Sequence, residues 1–425
     1  MPEGVRFFTE GHWYPEKNHA DIVTLFGRNS AILSMDGDQF SFKITGFLIC
    51  DNNPVVVFPK NFDTNESSFK MDASILLRTL LRYRMEKVHP KDENTFLNGS
   101  EINSNGRIIS AIALLNDYQN NGLLKRVEKI KTTRSNGNID WNSTINKTIP
   151  TINHGKPVYM APIVNKMANN ANHIVIQIHK AIISECTELW GWLTGFSSTN
   201  VSFSMPCGSE NAVGILTKEL TTTFLSREIY VLRNMISYLK CKIGKKSREH
   251  FEILATPYFY YTWEYICGHI FENQYGALSG IIPQPAWKET AREHNMSQRP
   301  DILFVYGDGF FILDAKYYNY NISLPGWRDT VKQLFYQYTI ENRKAPATVR
   351  ALSSVRSIYN AFILPENTET QVKYLGYVEV ENVLGLGRIH AFALNTKKAM
   401  ISYAGGIKSD IKDDIVLQLR VLKVL

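Results

Sequence analysis

RPDILFVYGDGFFILDAKYYNY, residues 299–320, decides how the rest of the chain is read. Two apolar runs meet at Asp308-Gly309, a pair that tolerates the positive φ of a two-residue hairpin turn. With these residues at the turn centre, Asp301 lies opposite Lys316 and Asp314 opposite Leu303. Side chains alternate faces along a strand and opposed residues share a face, so Asp301, Asp314 and Lys316 point the same way. A three-residue turn would send Asp301 to the other side. Ile302, Phe304, Phe311, Leu313 and Ala315 fill the second face, while Leu303, Val305 and Ile312 continue the charged one, so both faces read as buried.

Two carboxylates and an ammonium at the end of a buried hairpin are costly unless they are paired or bind a cation. Mg²⁺, with Mn²⁺ as a substitute, prefers oxygen ligands and needs only one or two carboxylates beside a substrate phosphate. The expected metal set is Asp301, Asp314, the carbonyl of Ala315, and Glu264 from the helix before the hairpin. The simpler reading is a surface ion pair between Asp301 and Lys316 with Asp314 in solvent.

Both flanking segments have helical periodicity. In YFYYTWEYICGHIF (258–271), Phe259, Trp263, Ile266 and Ile270 form one apolar stripe, and Glu264 sits between Tyr260, Cys267 and Phe271 on a second. A helix apolar on most sides is buried, so Glu264 needs an interior partner, either a metal or a basic side chain. In GWRDTVKQLFYQYTIENR (326–343), Gln333, Tyr336 and Gln337 either face solvent or hydrogen-bond the attacking water or the phosphate.

Pro300-Asp301, Asp314-Ala315-Lys316, Glu264 before them and Gln333 after them resemble the PD-(D/E)xK nuclease signature. The ordered set WE, PD, DAKY and DxxxQ is more specific than any one of its parts. Within that superfamily the chain looks like the LlaJI-type restriction endonucleases and, more distantly, the McrC-type nuclease subunits. The resemblance extends through VVVFPK (55–60), GNIDWNSTI (137–145) and IQIHKAIISEC (176–186). Gln333 is followed by Tyr336 and Tyr338 instead of the common Gln-x-x-x-Tyr spacing. The resemblance implies an α/β fold with a mixed central sheet flanked by helices. It implies a host-defence endonuclease acting on double-stranded DNA beside an AAA+ McrB-like NTPase, and a homodimer at cleavage. Asp301, Asp314, Lys316, Glu264 and Gln333 would be its catalytic residues. The alternative is a DNA-binding or assembly subunit that keeps the fold and does not cut.

Working outward, the sequence turns polar near residue 246 and a fresh apolar pattern begins at Phe251. The expected division is therefore an N-terminal region 1–245 that reads DNA or docks a partner, and a nuclease domain 246–425. Residues 1–70 alternate short apolar runs with DGD and DNN turns and read as a β-rich module; 71–245 reads as mainly helical. Helices are expected over Asp72–Lys87, over ISAIALLNDYQNNG to its Asn-Gly end, over HIVIQIHKAIISECTELWGWL, and from Asn211 to Cys241. The segment 131–157 reads as loop, with room for one short strand. Downstream of the hairpin come a helix from Trp327 to Asn342 and the strands AFILP, KYLGYVEVE and RIHAFALN.

The net charge is +7 with a pI near 8.9, which suits a polyanionic partner. Arg233, Lys240, Lys242, Lys245, Lys246 and Arg248 form a basic run without an acidic residue, a candidate phosphate-contacting stripe or a helix end stabilised by its own dipole. Five cysteines, none closer than about 20 residues to the next, suggest neither a disulfide framework nor a CxxC zinc site. No apolar stretch suits a signal peptide or membrane span, so a cytoplasmic prokaryotic protein is expected. No GxxxxGK[ST] loop is present, so any nucleotide-driven motor would be a separate subunit.

Overall fold

The computed structural model describes residues 4–27, 29–50, 53–86, 89–98, 106–133, 136–195, 203–243, 253–288, 293–295, 297–343, 355–383 and 385–424. The chain forms two compact units, one of residues 1–102 with 251–425 and one of 103–250. The β-rich first module therefore belongs with the C-terminal part, whereas the sequence grouped it with 71–245.

Among its described residues the first unit holds a mixed α/β arrangement with three sheets of three or more strands, besides the short pair Ala286–Lys288 and Glu293–Asn295. Arg6–Thr9, Asn53–Phe58, Thr45–Cys50 and Ile253–Thr256 form one sheet in that order, with Arg6–Thr9 parallel to Asn53–Phe58. Ile253–Thr256, a strand that the sequence reading does not contain, thus ties the returning chain to the N-terminal strands. Trp13–Pro15, Gln39–Phe42 and Leu33–Asp36 make a smaller antiparallel sheet. Its apolar face joins the first sheet in one core containing Phe8, Phe26, Phe40, Phe42, Val55 and Val57.

The hairpin opens a five-stranded mixed sheet: Ile302–Tyr306, Gly309–Ala315, Ser357–Glu366, Arg388–Asn395 and Val372–Glu379 in spatial order. The two central pairings are parallel and the outer two antiparallel. The interior strand Gly309–Ala315, second in that order, is buried throughout, which explains its apolar run. Leu303, Phe310 and Ile312 pack on Tyr336 and Ile340 of the helix Trp327–Glu341. On the opposite face Phe271, Phe304, Phe311 and Tyr359 form a continuous stack, with centroids 4.6 Å apart for Phe304–Phe311 and 4.7 Å for Phe311–Tyr359. The helix Phe259–Ile270 lies on that side, where Trp263 Nε1 donates to the carbonyl of Ile363 at 3.3 Å.

The hairpin turn is two residues long but centred on Gly307-Asp308, because Tyr306 pairs with Gly309. Gly307 has φ +60°, the conformation a two-residue turn asks of its first centre. Gly309 serves packing instead, since a Cβ there would stand 2.7 Å from the Phe311 ring and 2.9 Å from that of Tyr359. The expected turn at Asp308-Gly309 is therefore corrected by one position on each strand. Both turns have even length, so the faces are unchanged while the partners move: continuing the register from Ile302–Leu313 sets Asp301 opposite Asp314, not Lys316.

The outer edge of Ile302–Tyr306 would expose unpaired backbone groups. Asn273 and Gln274 cover it: Gln274 N donates to Leu303 O at 2.7 Å, and Asn273 Oδ1 and Gln274 Oε1 accept from Leu303 N and Val305 N. Asn273 Nδ2 also donates to Asp301 O at 2.8 Å, holding the aspartate's backbone in place. Two C-terminal helices absent from the sequence reading, Thr396–Gly405 and Ile411–Val424, complete this unit.

The second unit contains the helices Arg107–Asn121, Ile174–Thr194, Ser209–Thr222 and Ser226–Ile243. The expected single helix from Asn211 to Cys241 is two helices, interrupted at 223–225. The expected loop 131–157 carries a strand of a three-stranded sheet, the helix Trp141–Lys147 and part of a hairpin. No helix among the described residues is long and apolar enough to cross a membrane.

Candidate active site

At the end of the strand Gly309–Ala315, Asp314 is 1% exposed and its Oδ2 faces Lys316 Nζ in an ion pair. Its Oδ1 has no hydrogen-bond donor among the described residues. Asp301, across the hairpin, accepts from the backbone N–H of Ala315 through Oδ2 at 3.0 Å. Lys316 is pinned by its own N–H to Ile363 O at 2.9 Å, and its ammonium contacts Asp329 Oδ1 at 3.1 Å. Burial opposes the lysine's charge, but Asp314 and Asp329 outweigh it and raise its pKa. The structure thus gathers Asp301, Asp314, Ala315 and Lys316 as the sequence anticipated, with the ion pair on Asp314 instead of Asp301.

Glu264 is half-buried on the exposed side of its helix, while Phe259, Trp263, Ile266 and Ile270 are all buried. The helix is therefore amphipathic, not enclosed, and the glutamate opens onto two adjoining clefts. One, of about 660 Å³, is lined by Glu264, Ala315, Lys316, Glu10, Lys60 and Tyr260 among others. The other, of about 610 Å³, includes Glu264, Asp301, Arg82 and Arg299 in its wall.

Burial, the negative charge of Asp314 and that of Glu264 push the Asp301 carboxyl up to about 8, against the opposing pull of Lys316 and Lys332. An unfolded aspartate titrates near 4. The folded state therefore binds the extra proton between those limits, and the stability it confers is present below about pH 4 and lost as the pH rises through about 8. In chelator, thermal melts of the wild-type protein should show this decline across the window, and Asp301→Asn should flatten it. An unchanged slope in the variant would contradict the assignment.

Gln333 is 1% exposed and lines neither cleft; its Nε2 donates to Ile312 O at 3.3 Å. It fastens the helix to the strand two residues before Asp314. Gln333→Ala should accordingly lower stability by about 1–3 kcal/mol in denaturant unfolding, with a smaller effect on any chemistry of the folded fraction. Its neighbour Lys332 is the side chain whose charge acts on the site: Asp314, Tyr336 and Asp301 raise its pKa against burial. Its Nζ stands 5.5 Å from the Tyr336 ring, and Tyr336 Oη donates to Arg299 O at 3.1 Å, two residues before Asp301.

Three further residues escaped the sequence reading. Glu10 accepts from Tyr317 Oη and Thr45 Oγ1, both at 2.8 Å, and Lys60 N donates to Tyr317 Oη at 2.7 Å. Burial raises the Glu10 pKa against the pull of Lys60 and these hydrogen bonds. Asp329 falls inside the DxxxQ pattern, but only the fold shows that it reaches Lys316. Nothing in local periodicity marks Glu10 or Lys60 as partners of Tyr317, which lies 307 and 257 residues away from them.

Of the basic run, Arg233 and Lys240 are exposed, Lys242 is paired with Glu185 at 2.9 Å, and Lys245, Lys246 and Arg248 lie outside the described residues. Among the described residues no three His, Cys, Asp or Glu side chains converge as a preformed metal cage. The orphaned Asp314 Oδ1 and the raised pKa of Asp301 nonetheless suit a hard cation, which binds through one or two carboxylates with water and substrate phosphate completing its shell.

Comparison with known proteins gives these observations a context. The chain is 26% identical over 416 residues to the type II restriction enzyme BsuMI component YdjA of Bacillus subtilis strain 168, a match covering 90% of this chain and 85% of that protein. Among solved structures it is similar to a half-complex of Thermococcus gammatolerans McrB AAA+ hexamers with bound McrC, at TM-score 0.39 and 12% identity over 94% of this chain and 98% of that one. A second structure of the McrBC complex from that organism matches 56% of this chain and 80% of its own at TM-score 0.28 and 10% identity. The LlaJI restriction endonuclease family matches residues 44–397, more than half the length, and the chain belongs to that family.

Proposed function

We propose that the protein is a metal-dependent endonuclease subunit of a restriction system, hydrolysing phosphodiester bonds of double-stranded DNA with a PD-(D/E)xK core. The observation that carries the reading is the end of the hairpin: Asp301 facing Asp314, an unsatisfied oxygen on Asp314, and Lys316 beside both. Membership of a restriction endonuclease family supports the same chemistry. Asp301, Asp314, the carbonyl of Ala315 and Glu264 would hold Mg²⁺, which supplies Lewis acidity toward the phosphate and lowers the pKa of a bound water.

The chain's own groups do the rest. Lys316, fixed by its backbone to Ile363, holds the attacking water and balances charge that develops on the phosphate. Lys332 adds a second positive charge toward the two aspartates, and Lys60 and Arg299, in the walls of the two clefts, take the DNA backbone on either side. Gln333 keeps the helix in place and so contributes indirectly. We further propose an AAA+ NTPase as partner, in line with the resemblance to McrC-type subunits and with a relative described as a component of its enzyme.

The test is nicking of supercoiled DNA by the purified protein in Mg²⁺, alone and with the candidate NTPase and nucleotide. Mg²⁺-dependent scission is expected in at least the complete mixture. DNA binding without scission in every mixture would instead establish the non-cutting reading, in which the Lys316–Asp314 pair is purely structural.

A further inference from the structure

Lys316 has two anionic neighbours, and they are not equivalent. Asp314 lies in the buried strand end with its other oxygen unsatisfied, as a ligand awaiting a cation would. Asp329 lies in the first turn of the helix Trp327–Glu341; its side chain is 23% exposed, and its Oδ2 accepts from Tyr318 Oη at 3.2 Å. Tyr318 is itself packed against the apolar group of Leu334, Phe362, Leu364 and Ile389, so the acceptor is oriented by the core. The helix that carries Asp329 is fastened to the strand Gly309–Ala315 through Gln333 and Ile312 O.

A divalent cation on the open Oδ1 of Asp314 competes with the Lys316 ammonium on Oδ2 for the same negative charge, and the two cations repel each other across one carboxylate. An ammonium so little exposed cannot simply be left without a counter-charge. We propose that Asp329 is a positioning residue: it is the second seat of Lys316, which lets the ammonium leave Asp314 to a divalent cation without leaving the site. The inference rests on the metal-dependent reading above. It assigns Asp329 no contact with substrate or metal, and its whole effect passes through Lys316. Only side chains need move, because the backbone of Lys316 is held by Ile363 O.

The arrangement predicts a specific pattern in Mn²⁺ binding, measured by electron paramagnetic resonance on the full chain without DNA. Asp329→Asn should weaken binding about tenfold, because Lys316 is then confined to Asp314. Lys316→Met should bind at least as tightly as wild type, because the competitor is gone. In the Lys316→Met background, adding Asp329→Asn should change binding by less than about twofold, since Asp329 has nothing left to act through. Asp329→Glu should restore most of the affinity, and circular dichroism should confirm that each variant is folded.

An Asp329→Asn effect that persists undiminished in the Lys316→Met background would overturn the proposal, as would wild-type affinity in the single variant. Wild-type binding that Asp314→Asn abolishes while Asp329→Asn leaves it intact would overturn this inference alone. Absence of Mn²⁺ binding by the wild-type protein would overturn both this inference and the metal-dependent reading.

Discussion

Asp314→Asn is expected to reduce Mg²⁺-dependent DNA cleavage by about three orders of magnitude, roughly 4 kcal/mol of transition-state stabilisation, while the protein remains folded. The carboxylate is 1% exposed and one of its oxygens has no donor, so an amide of equal size fits the same space and gives up only the charge pairing with Lys316. Lys316 keeps a counter-ion in Asp329 at 3.1 Å, which spares the variant a buried unpaired ammonium. Cleavage by contrast requires the negative charge, because a neutral amide binds a hard cation poorly. Single-turnover cleavage and a cooperative thermal melt on the same preparation separate the two effects. Full activity of the folded variant would show that Asp314 is not at the reaction centre.

The second large effect falls on stability. Trp263 is fully buried in the helix Phe259–Ile270, beside Glu264, and its indole N–H donates to Ile363 O in the strand adjoining Ala315. Trp263→Ala removes a large side chain from a packed interior and leaves that carbonyl without its indole donor. A loss of about 3–5 kcal/mol is expected, visible as a drop in melting temperature on the order of 10 °C. Because the same helix presents Glu264, the folded remnant should also cleave less. Trp263→Phe, which keeps most of the volume and loses only the N–H, should recover the larger part of the stability. Equal losses in both variants would assign the effect to the hydrogen bond instead of the packing.

The hairpin illustrates what can be read from a linear chain. The alternation of side-chain direction along each strand and a Gly/Asp turn place Asp301, Asp314 and Lys316 on one face whichever two-residue turn forms, because parity is conserved between them. The choice between Asp308-Gly309 and Gly307-Asp308 is made elsewhere: Gly309 must lack a side chain to admit the Phe311–Tyr359 stack, and Tyr359 comes from a strand about 50 residues downstream. The faces were therefore legible and the partners were not.

The helix after the hairpin shows the same limit at a finer scale. One residue is a rotation of about 100° around a helix axis, so Gln333 and Lys332 point in quite different directions. Which of them meets the carboxylates depends on which face packs on the sheet. Tyr336 and Ile340 settle that by burying against Leu303, Phe310 and Ile312, which carries Gln333 onto the strand backbone.

The sequence by itself determined the hairpin, the two flanking helices, the identity of the acidic and basic groups at the strand ends, and the resemblance they carry. These rest on periodicity, turn chemistry and residue type, which act over a few positions. Only the tertiary structure decided that Arg6–Thr9, Asn53–Phe58 and Ile253–Thr256 share a sheet, and that Glu10 and Lys60 therefore reach Tyr317. It alone brought Asp329 to Lys316 across the intervening loop. A strand's alternation specifies which side chains face inward but not which strand it will pair with, and that pairing comes from packing between segments far apart in the chain.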